Sequence, residues 1–327
     1  MSDEKLITVI TTVYNKAQYL ETWAVSVASQ TYLSKARIIV IDDGSTDDSV
    51  ALIQKYAAKY GIPVEIFVHE KNCGLLRTIL DAYHLLDTKY FTVLDADDYW
   101  LSERKLEKAV TFLEAHEDYT IYASNYLKEN IGEKSRIGFP MDLPNQTFVS
   151  ADEMAPYHFQ TIATVFRNFF TPELLTEMER VSRGRKVHVC ETDPFRNFLA
   201  FHFGKAYFEN SLDAAWRSNI GAYGTLTDLE KALNIMQEHW QMFEFYKKNF
   251  GKDKNAAHAL NLCVLFYLQS ADIFANMLKH CTLFEFRGGK YFRDRFFDYG
   301  ETDVDKIVNA LLEQTKLLRQ IGFRLVE

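Results

Sequence analysis

Residues 90–100 read YFTVLDADDYW, an apolar run that ends in three acids, Asp95, Asp97 and Asp98. The apolar part is typical of a buried strand. Two carboxylates about 4 Å apart repel each other by about 4 kcal/mol at an effective dielectric constant of about 20, so a crowded group favours a raised pKa or a bound cation. Oxygen ligands suit Mg2+ or Mn2+. The alternative is that Asp98 caps the following helix and that the other two acids are only solvated.

The sequence around this stretch alternates strand-like and helix-like segments. Four apolar runs rich in Val and Ile are found at residues 6–13 (LITVITTV), 36–43 (ARIIVIDD), 64–69 (VEIFVH) and 90–95 (YFTVLD). Nearly continuous runs of this kind are typical of strands covered on both faces. Strands that alternate with helices predict a parallel sheet, and such sheets bind ligands outside the carboxyl ends of their strands.

The helix-like segments between the runs have apolar residues at helical spacing. The first segment gathers five of them on one face: Leu20, Trp23, Ala24, Val27 and Ala28. The third repeats the pattern with Leu76, Ile79, Leu80 and Tyr83. The second helix is expected to begin within residues 44–49, where Ser45 or Thr46 caps its free amides, and to stop at Gly61.

The second half of the chain has a less regular pattern. Residues 120–126 and 161–168 read as strands, and a helix is expected after Pro194. After about residue 225 the sequence becomes helical and aromatic. We therefore expect two domains, residues 1–220 and a helical C-terminal extension at 221–327, joined near the small residues of NIGAYGT.

Composition excludes several classes of protein. A net charge of −8 argues against broad nucleic-acid binding, which depends on Lys and Arg. The cysteines are far apart and form no C-x-x-C pair, which disfavours a zinc site and a disulfide framework: Cys73, Cys190, Cys263 and Cys281. Neither a secretion signal nor a membrane-spanning stretch is recognisable, so the cytosol is the default expectation.

Each of the first four strands is followed by a polar motif. The motifs are TTVYN at residues 11–15, DDGSTDDS at 42–49, EKNCGLLRT at 70–78 and DADD at 95–98. In order and spacing they resemble P-x-Y-N, D-D-G-S-x-D, N-x-G and D-x-D of the family 2 glycosyltransferases, bacterial type. The resemblance implies an α/β GT-A fold, a Rossmann-like, mostly parallel sheet flanked by helices, and covers residues 5–125 most clearly.

The resemblance also implies a role for each matching residue. The residues expected to bind the nucleotide sugar are Thr12, Tyr14, Asn15, Asp42, Asp43, Asn72, Arg77, Asp95, Ala96 and Asp97. Tyr14 would stack on uracil, while Asp42 or Asp43 accepts the uracil N–H. Asp95 would bind the ribose hydroxyls, Asp97 would ligate the metal, and Arg77 would neutralise phosphate charge. Thr12 replaces the usual proline of the first motif, which blocks none of these contacts.

The general base is expected in the stretch VCETDPFRN. Family members have an Asp about eleven residues before a G-K turn, and Asp193 has that spacing to Gly204. Glu191 is the rival, and plain helix capping is the non-catalytic alternative for either acid. Further on, WRSN retains Arg217 of the family's Y-R-x-H pattern but has Asn219 in place of the histidine.

The implied function is metal-dependent, inverting transfer of a hexosyl or N-acetylhexosaminyl group from a nucleoside diphosphate sugar, with a UDP sugar favoured. A glycan or lipid-linked hydroxyl would be the acceptor, as in polysaccharide biosynthesis. The helical extension would then contact the inner face of the membrane or a second copy of the chain. A nucleotide-sugar-binding module without turnover, whose helical tail docks a partner, is the alternative. A dehalogenase-like phosphatase and a nicotinamide oxidoreductase fit poorly, because D-x-D ends the fourth strand and no G-x-G-x-x-G follows the first.

Overall fold

The computed structural model describes residues 4–130, 134–149, 153, 159–182, 193–218 and 228–250. Glu191, Asn219, the expected linker and the expected helices beyond residue 250 lie outside the described residues. Within the described ranges, ten strands form one mixed sheet, and its main path has the order β3-β2-β1-β4-β9-β6-β10-β5.

The first four strands confirm the sequence prediction. They are β1 (Ile7–Val13), β2 (Ala36–Asp42), β3 (Val64–Val68) and β4 (Tyr90–Val93). All three ladders among them are parallel, and Ile7 of β1 pairs with Ala36 on one side and Tyr90 on the other. The carboxyl ends of these strands therefore share one edge of the sheet, where the polar motifs follow.

Burial in the sheet differs from the expectation at β3. The central strands β1, β2 and β4 are almost wholly buried, as their apolar sequences predict. The prediction that β3 is covered on both faces is wrong, because Phe67 and Val68 are exposed. The physical reason is position: β3 is the edge of the sheet and has β2 as its neighbour on one side only in the main path.

Three helices connect these strands: α1 (Leu20–Ala28), α2 (Ser49–Tyr60) and α3 (Leu75–His84). The apolar face of α1 is buried as expected, and the Trp23 indole N–H donates to Thr11 Oγ1 at 3.0 Å, which satisfies a buried donor. Gly61 ends α2 with φ of 69°, a conformation that glycine adopts without a steric penalty. The prediction that Ser45 or Thr46 caps α2 is wrong, since the helix begins at Ser49 after Asp48.

The second half completes the sheet. Its elements are β5 (Tyr99–Trp100), α4 (Lys105–Ala115), β6 (Tyr119–Asn130), β7 (Arg136–Ile137), β8 (Gln146–Phe148), β9 (Thr164–Arg167), α5 (Pro172–Ser182), α6 (Asp193–Phe203), β10 (Lys205–Ser218) and α7 (Asp228–Phe250). Strand β9 lies antiparallel between β4 and β6, whereas β6 and β10 are parallel. Strands β7 and β8 pair with β6 and β10.

The chain divides into two compact units. The first comprises Met1–Glu179 and Cys190–Gly221, and the second comprises Arg180–Val189 and Ala222–Glu327. Helix α7 belongs to the second unit and buries Met242, Phe245 and Tyr246, which are spaced i, i+3 and i+4. Among the described residues, every helix is too short or too polar to span a bilayer.

Candidate active site

The loop after β1 is fastened to the loop after β2 and leaves one aromatic ring exposed. The Asn15 side-chain oxygen accepts hydrogen bonds from Thr46 N at 2.8 Å and Asp47 N at 3.3 Å. Asn15 N in turn donates to Ser45 Oγ at 2.9 Å. These contacts hold Asn15 at a positive φ of 53°, which Asn tolerates better than most residues. Tyr14, just before it, is 44% exposed and presents a planar face to solvent.

The two acids at the end of β2 have different surroundings. Both are buried. Asp43 accepts backbone hydrogen bonds from Cys73 at 2.7 Å and from Gly74 at 2.8 Å, so it anchors the loop that precedes α3. Asp42 Oδ1 accepts from Ser45 N at 2.8 Å, whereas its Oδ2 has no hydrogen-bond partner among the described residues. Asp42 is therefore the acid of the pair with an acceptor to spare.

Two predicted ligand residues follow β3. Asn72 lies so close to Gly44 that a Cβ on the glycine would meet Asn72 N at 2.8 Å, which explains the glycine of the D-D-G motif. Arg77 forms an i,i+4 ion pair with Asp81, with Nη2 at 2.6 Å from Oδ1. Its side chain is largely exposed. The role of Arg77 in binding phosphate stays a prediction, as does direct ligand contact by Asn72.

The acids after β4 are crowded, as the sequence predicts. Thr12 Oγ1 donates to Asp95 Oδ1 at 2.9 Å, so the first and fourth motifs touch. Burial, assisted by the charge of Asp97, raises the pKa of Asp95 to about 6, and the Thr12 hydrogen bond only partly opposes this. Ala96 is fully buried between the two acids.

Asp98 does not cap the following helix. Helix α4 begins at Lys105, whereas Asp98 is buried and accepts a hydrogen bond from Arg217 N at 2.7 Å. Burial and the charges of Asp97 and Asp95 raise the pKa of Asp98 well above its ordinary value. The capping alternative is therefore wrong, because the buried Asp98 carboxylate binds the backbone of Arg217 in β10 instead.

Two cationic side chains contact Asp97. The Lys16 ammonium forms an ion pair with the Asp97 carboxylate, and Arg217 Nη1 donates to the Asp97 backbone oxygen at 2.8 Å. Arg217 lies over the rings of Tyr19 and Tyr99, at 5.4 and 4.6 Å from their centroids. This edge of an otherwise acidic chain therefore offers local positive charge.

Asp193 is the first residue of α6 and is held from two directions. Thr161 N donates to its Oδ2 at 3.3 Å, and the Thr161 hydroxyl donates to Oδ1. Behind it, Arg196 Nη1 lies 3.4 Å from Oδ1. The Arg196 side chain is only 4% exposed, whereas that of Asp193 is 33% exposed, so the carboxylate remains reachable.

The charge of Asp193 acts on the acids that follow β4. The charge of Asp193 also contributes to raising the pKa of Asp95, after burial and Asp97. The acid predicted as base and the acids of the D-x-D motif thus lie within electrostatic reach of one another, although 98 positions separate Asp95 from Asp193 along the chain (193 − 95).

Sequence reasoning missed three residues of this cluster: Lys16, Thr161 and Arg196. Lys16 directly follows the predicted Asn15 at a strand end, and Arg196 follows Asp193 at the i,i+3 spacing of a helical ion pair, so both had a local signal. Thr161 had none, because its contact with Asp193 depends on how β9 and α6 pack.

Comparisons with known proteins identify the family and the fold of the chain. Residues 8–170 match the family described as "Glycosyl transferase family 2". An uncharacterized glycosyltransferase of Haemophilus influenzae is 32% identical over 124 residues, which are 38% of this chain and 38% of that protein. Three uncharacterized mycobacterial proteins are 27% identical over 115 residues, and the match spans 33% of their length.

Solved structures share the fold. TarS 1–349 of S. aureus in complex with UDP-GlcNAc has a TM-score of 0.51 and 14% identity, covering 96% of this chain and 92% of that one. The mannosyltransferase PcManGT of Pyrobaculum calidifontis, in complex with GDP-Man and Mn2+, has a TM-score of 0.50 and 16% identity, covering 84% and 76%. The mixed sheet flanked by helices is therefore the GT-A fold, and with the family match over residues 8–170 the chain belongs to glycosyl transferase family 2.

Proposed function

We propose that this protein transfers a sugar from a nucleoside diphosphate sugar to an acceptor hydroxyl with inversion at the anomeric carbon. The observation that carries the proposal is the electrostatic coupling of Asp193 to Asp95. The coupling indicates that the partly exposed Asp193 carboxylate lies near the acids that follow β4. Those acids are at the sheet edge where ligands of such folds bind. An inverting transfer needs a base for the acceptor on one side and charge stabilisation for the departing diphosphate on the other.

The donor is proposed to be a uridine diphosphate sugar. The exposed face of Tyr14 suits stacking on a planar base, and Asp42 has an acceptor available for a base N–H. TarS, which shares the fold, was solved with UDP-GlcNAc, and PcManGT was solved with GDP-Man. Asp95 would accept from the ribose hydroxyls, as the sequence resemblance implies.

A divalent ion fits the acids after β4. The donors there are carboxylate oxygens, the set that Mg2+ and Mn2+ prefer, and Asp97 already attracts a cation in the form of Lys16. Asp97 would hold the ion, with Asp95 beside it, and Lys16 and Arg217 would add positive charge. Such an ion supplies electrostatic stabilisation to negatively charged phosphate oxygens.

Asp193 is proposed to accept the proton of the acceptor hydroxyl. Arg196 stabilises its ionised form, and the two contacts from Thr161 fix its orientation at the start of α6. Glu191 remains the alternative base, and it lies outside the described residues. The acceptor is proposed to be a glycan or a lipid-linked hydroxyl, with the helical extension at 221–327 as the part that contacts the membrane or a second copy.

The experiment begins with a thermal-shift panel of nucleoside diphosphate sugars, run with Mn2+ and with a chelator, to identify the donor. Release of the nucleoside diphosphate from that donor is then measured for the wild type and for Asp193→Asn. We expect the variant to lose at least about 100-fold in turnover while it binds the donor as well as the wild type does. NMR of the anomeric proton in the product tests inversion.

Glu191→Gln is the matched control, because it removes the rival carboxylate two positions away. Full turnover in Asp193→Asn together with loss in Glu191→Gln would reassign the base. A wild-type protein that binds the donor but gives no product with a panel of glycan and lipid-linked acceptors would instead favour the binding module without turnover.

A further inference from the structure

A second cluster of ligating side chains lies at the start of α3. Asp43, His69 and Cys73 each offer one potential ligand atom, and these atoms lie within 4.8 Å of one another. Unlike the acids after β4, this group combines oxygen, nitrogen and sulfur donors. We propose that it is a site for Zn2+, bound by a carboxylate oxygen, an imidazole nitrogen and a thiolate, with water as the fourth ligand.

The mixed ligand set distinguishes this cluster from the acids after β4. Oxygen-only donors suit Mg2+ and Mn2+, whereas a set of one oxygen, one nitrogen and one sulfur suits the softer Zn2+. Tetrahedral bonds of about 2.0–2.3 Å place zinc ligands roughly 3.3–3.8 Å apart. Asp43 is fixed by two backbone hydrogen bonds, while Cys73 is exposed, and the proposed site requires the cysteine side chain to turn towards the other two ligands.

The surroundings of His69 point in the same direction. Its Nδ1 lies 2.9 Å from Asp43 Oδ1, and its Nε2 lies 3.1 Å from Asp81 Oδ2. When the Nε2–H donates to Asp81 and Nδ1 binds a metal ion, the result is the carboxylate–histidine–metal arrangement that is common in zinc sites.

Charge also balances in the proposed site. The ion with its +2 charge meets the Asp43 carboxylate and a Cys73 thiolate, and the His69 ring is neutral. On binding, the Cys73 thiol loses its proton to solvent and gives up its contact with Lys71 O at 3.2 Å. The bound ion would tie the end of β3 to the start of α3. No part of this inference depends on sugar transfer.

Titration of the full-length protein with Co2+, without nucleotide, tests the proposal, because a cobalt–thiolate bond gives a charge-transfer band in the near ultraviolet. We expect the wild type to show the band and Cys73→Ser to lose it, although that variant keeps the other three cysteines. His84→Gln is the matched control and should keep the band, since His84 pairs with Glu179 and is not one of the three proposed ligands. A wild type without the band, or a band that survives in Cys73→Ser, overturns the proposal.

Zn2+ affinity measured by calorimetry gives a second readout. Asp81→Asn should weaken binding by about 10- to 100-fold, because Asp81 only orients the His69 ring. Equal affinity in the wild type and in His69→Gln, with both proteins folded by circular dichroism, contradicts the assignment of His69 as a ligand.

Discussion

At the scale of single residues, Lys105 is a buried charge that costs stability. It is fully buried at the start of α4, and its ammonium has no hydrogen-bond partner among the described residues. Burial lowers its pKa to about 8, although the charge of Asp213 opposes the shift. Because the unfolded chain keeps a pKa near 10.5, the folded state pays for the charge at every pH below about 8.

We predict that Lys105→Met raises the free energy of unfolding by about 2–3 kcal/mol at pH 7. The gain should shrink as the pH rises from 8 towards 10.5, since the wild-type lysine then loses its proton in the folded state. Urea unfolding at both ends of this range measures the effect. Lys108→Met is the matched control and should destabilise, because Lys108 pairs with the buried Asp213. Destabilisation by Lys105→Met at pH 7 would contradict the prediction.

The destabilisation caused by Asp95 has the opposite pH dependence to that caused by Lys105. Burial raises its pKa to about 6 in the folded state, so the folded protein binds a proton that the unfolded chain has already lost above pH 4. The ionised side chain therefore destabilises the ligand-free protein above about pH 6. We predict that Asp95→Asn raises the free energy of unfolding by about 1–2 kcal/mol at pH 7.5 and by much less at pH 4. The value at pH 7.5 is reduced to allow for solvent screening, because the Asp95 side chain is partly exposed. A gain that is equal at both pH values would exclude this explanation.

At the scale of elements, the sequence predicted the first half of the sheet well. Strands β1 to β4 have continuous apolar runs, and helices α1 and α3 have apolar faces at helical spacing, so local patterns sufficed. The cap of α2 was mispredicted, because Ser45 and Thr46 bind the loop that contains Asn15 rather than the helix. Side-chain partners that come from another loop leave no trace in local spacing.

Two glycines at element ends provide a matched pair. Gly44 and Gly61 have nearly the same positive φ, 70° and 69°. A Cβ at Gly44 would meet the backbone carbon of Lys71 at 2.6 Å, whereas a Cβ at Gly61 would meet nothing within 4 Å. Comparing the same substitution at the two glycines therefore measures the cost of the close approach between Gly44 and residues 71–72.

We predict that Gly61→Ala lowers the free energy of unfolding by about 1 kcal/mol, the cost of the left-handed conformation. Gly44→Ala should cost at least about 3 kcal/mol, because the backbone of residues 71–72 must also move. Chemical denaturation of both variants makes the comparison. Similar losses in the two proteins would show that the approach of Lys71 to Gly44 is not a tight constraint.

At the scale of the whole molecule, the sequence could not predict how distant segments pair. Strand β9 lies between β4 and β6, and its register with Tyr90 joins residues 77 positions apart (167 − 90). The same packing brings Thr161 and Arg196 to Asp193, and it brings Arg217 to the acids after β4. The motifs thus predicted the crowded acids after β4, whereas the contact of Thr161 with Asp193 and the contact of Arg217 with the loop after β4 required the fold.

Calorimetric titration of UDP tests the central claim most directly, for the wild type and for Asp97→Asn and Asp193→Asn, with Mn2+ and with a chelator. We predict that the wild type and Asp193→Asn bind equally well and depend on the metal, because the proposed role of Asp193 is towards the acceptor. Asp97→Asn should lose at least about 10-fold in affinity with Mn2+, since it removes the charge that is proposed to hold the ion. Binding that is unaffected by both the chelator and Asp97→Asn would contradict the account.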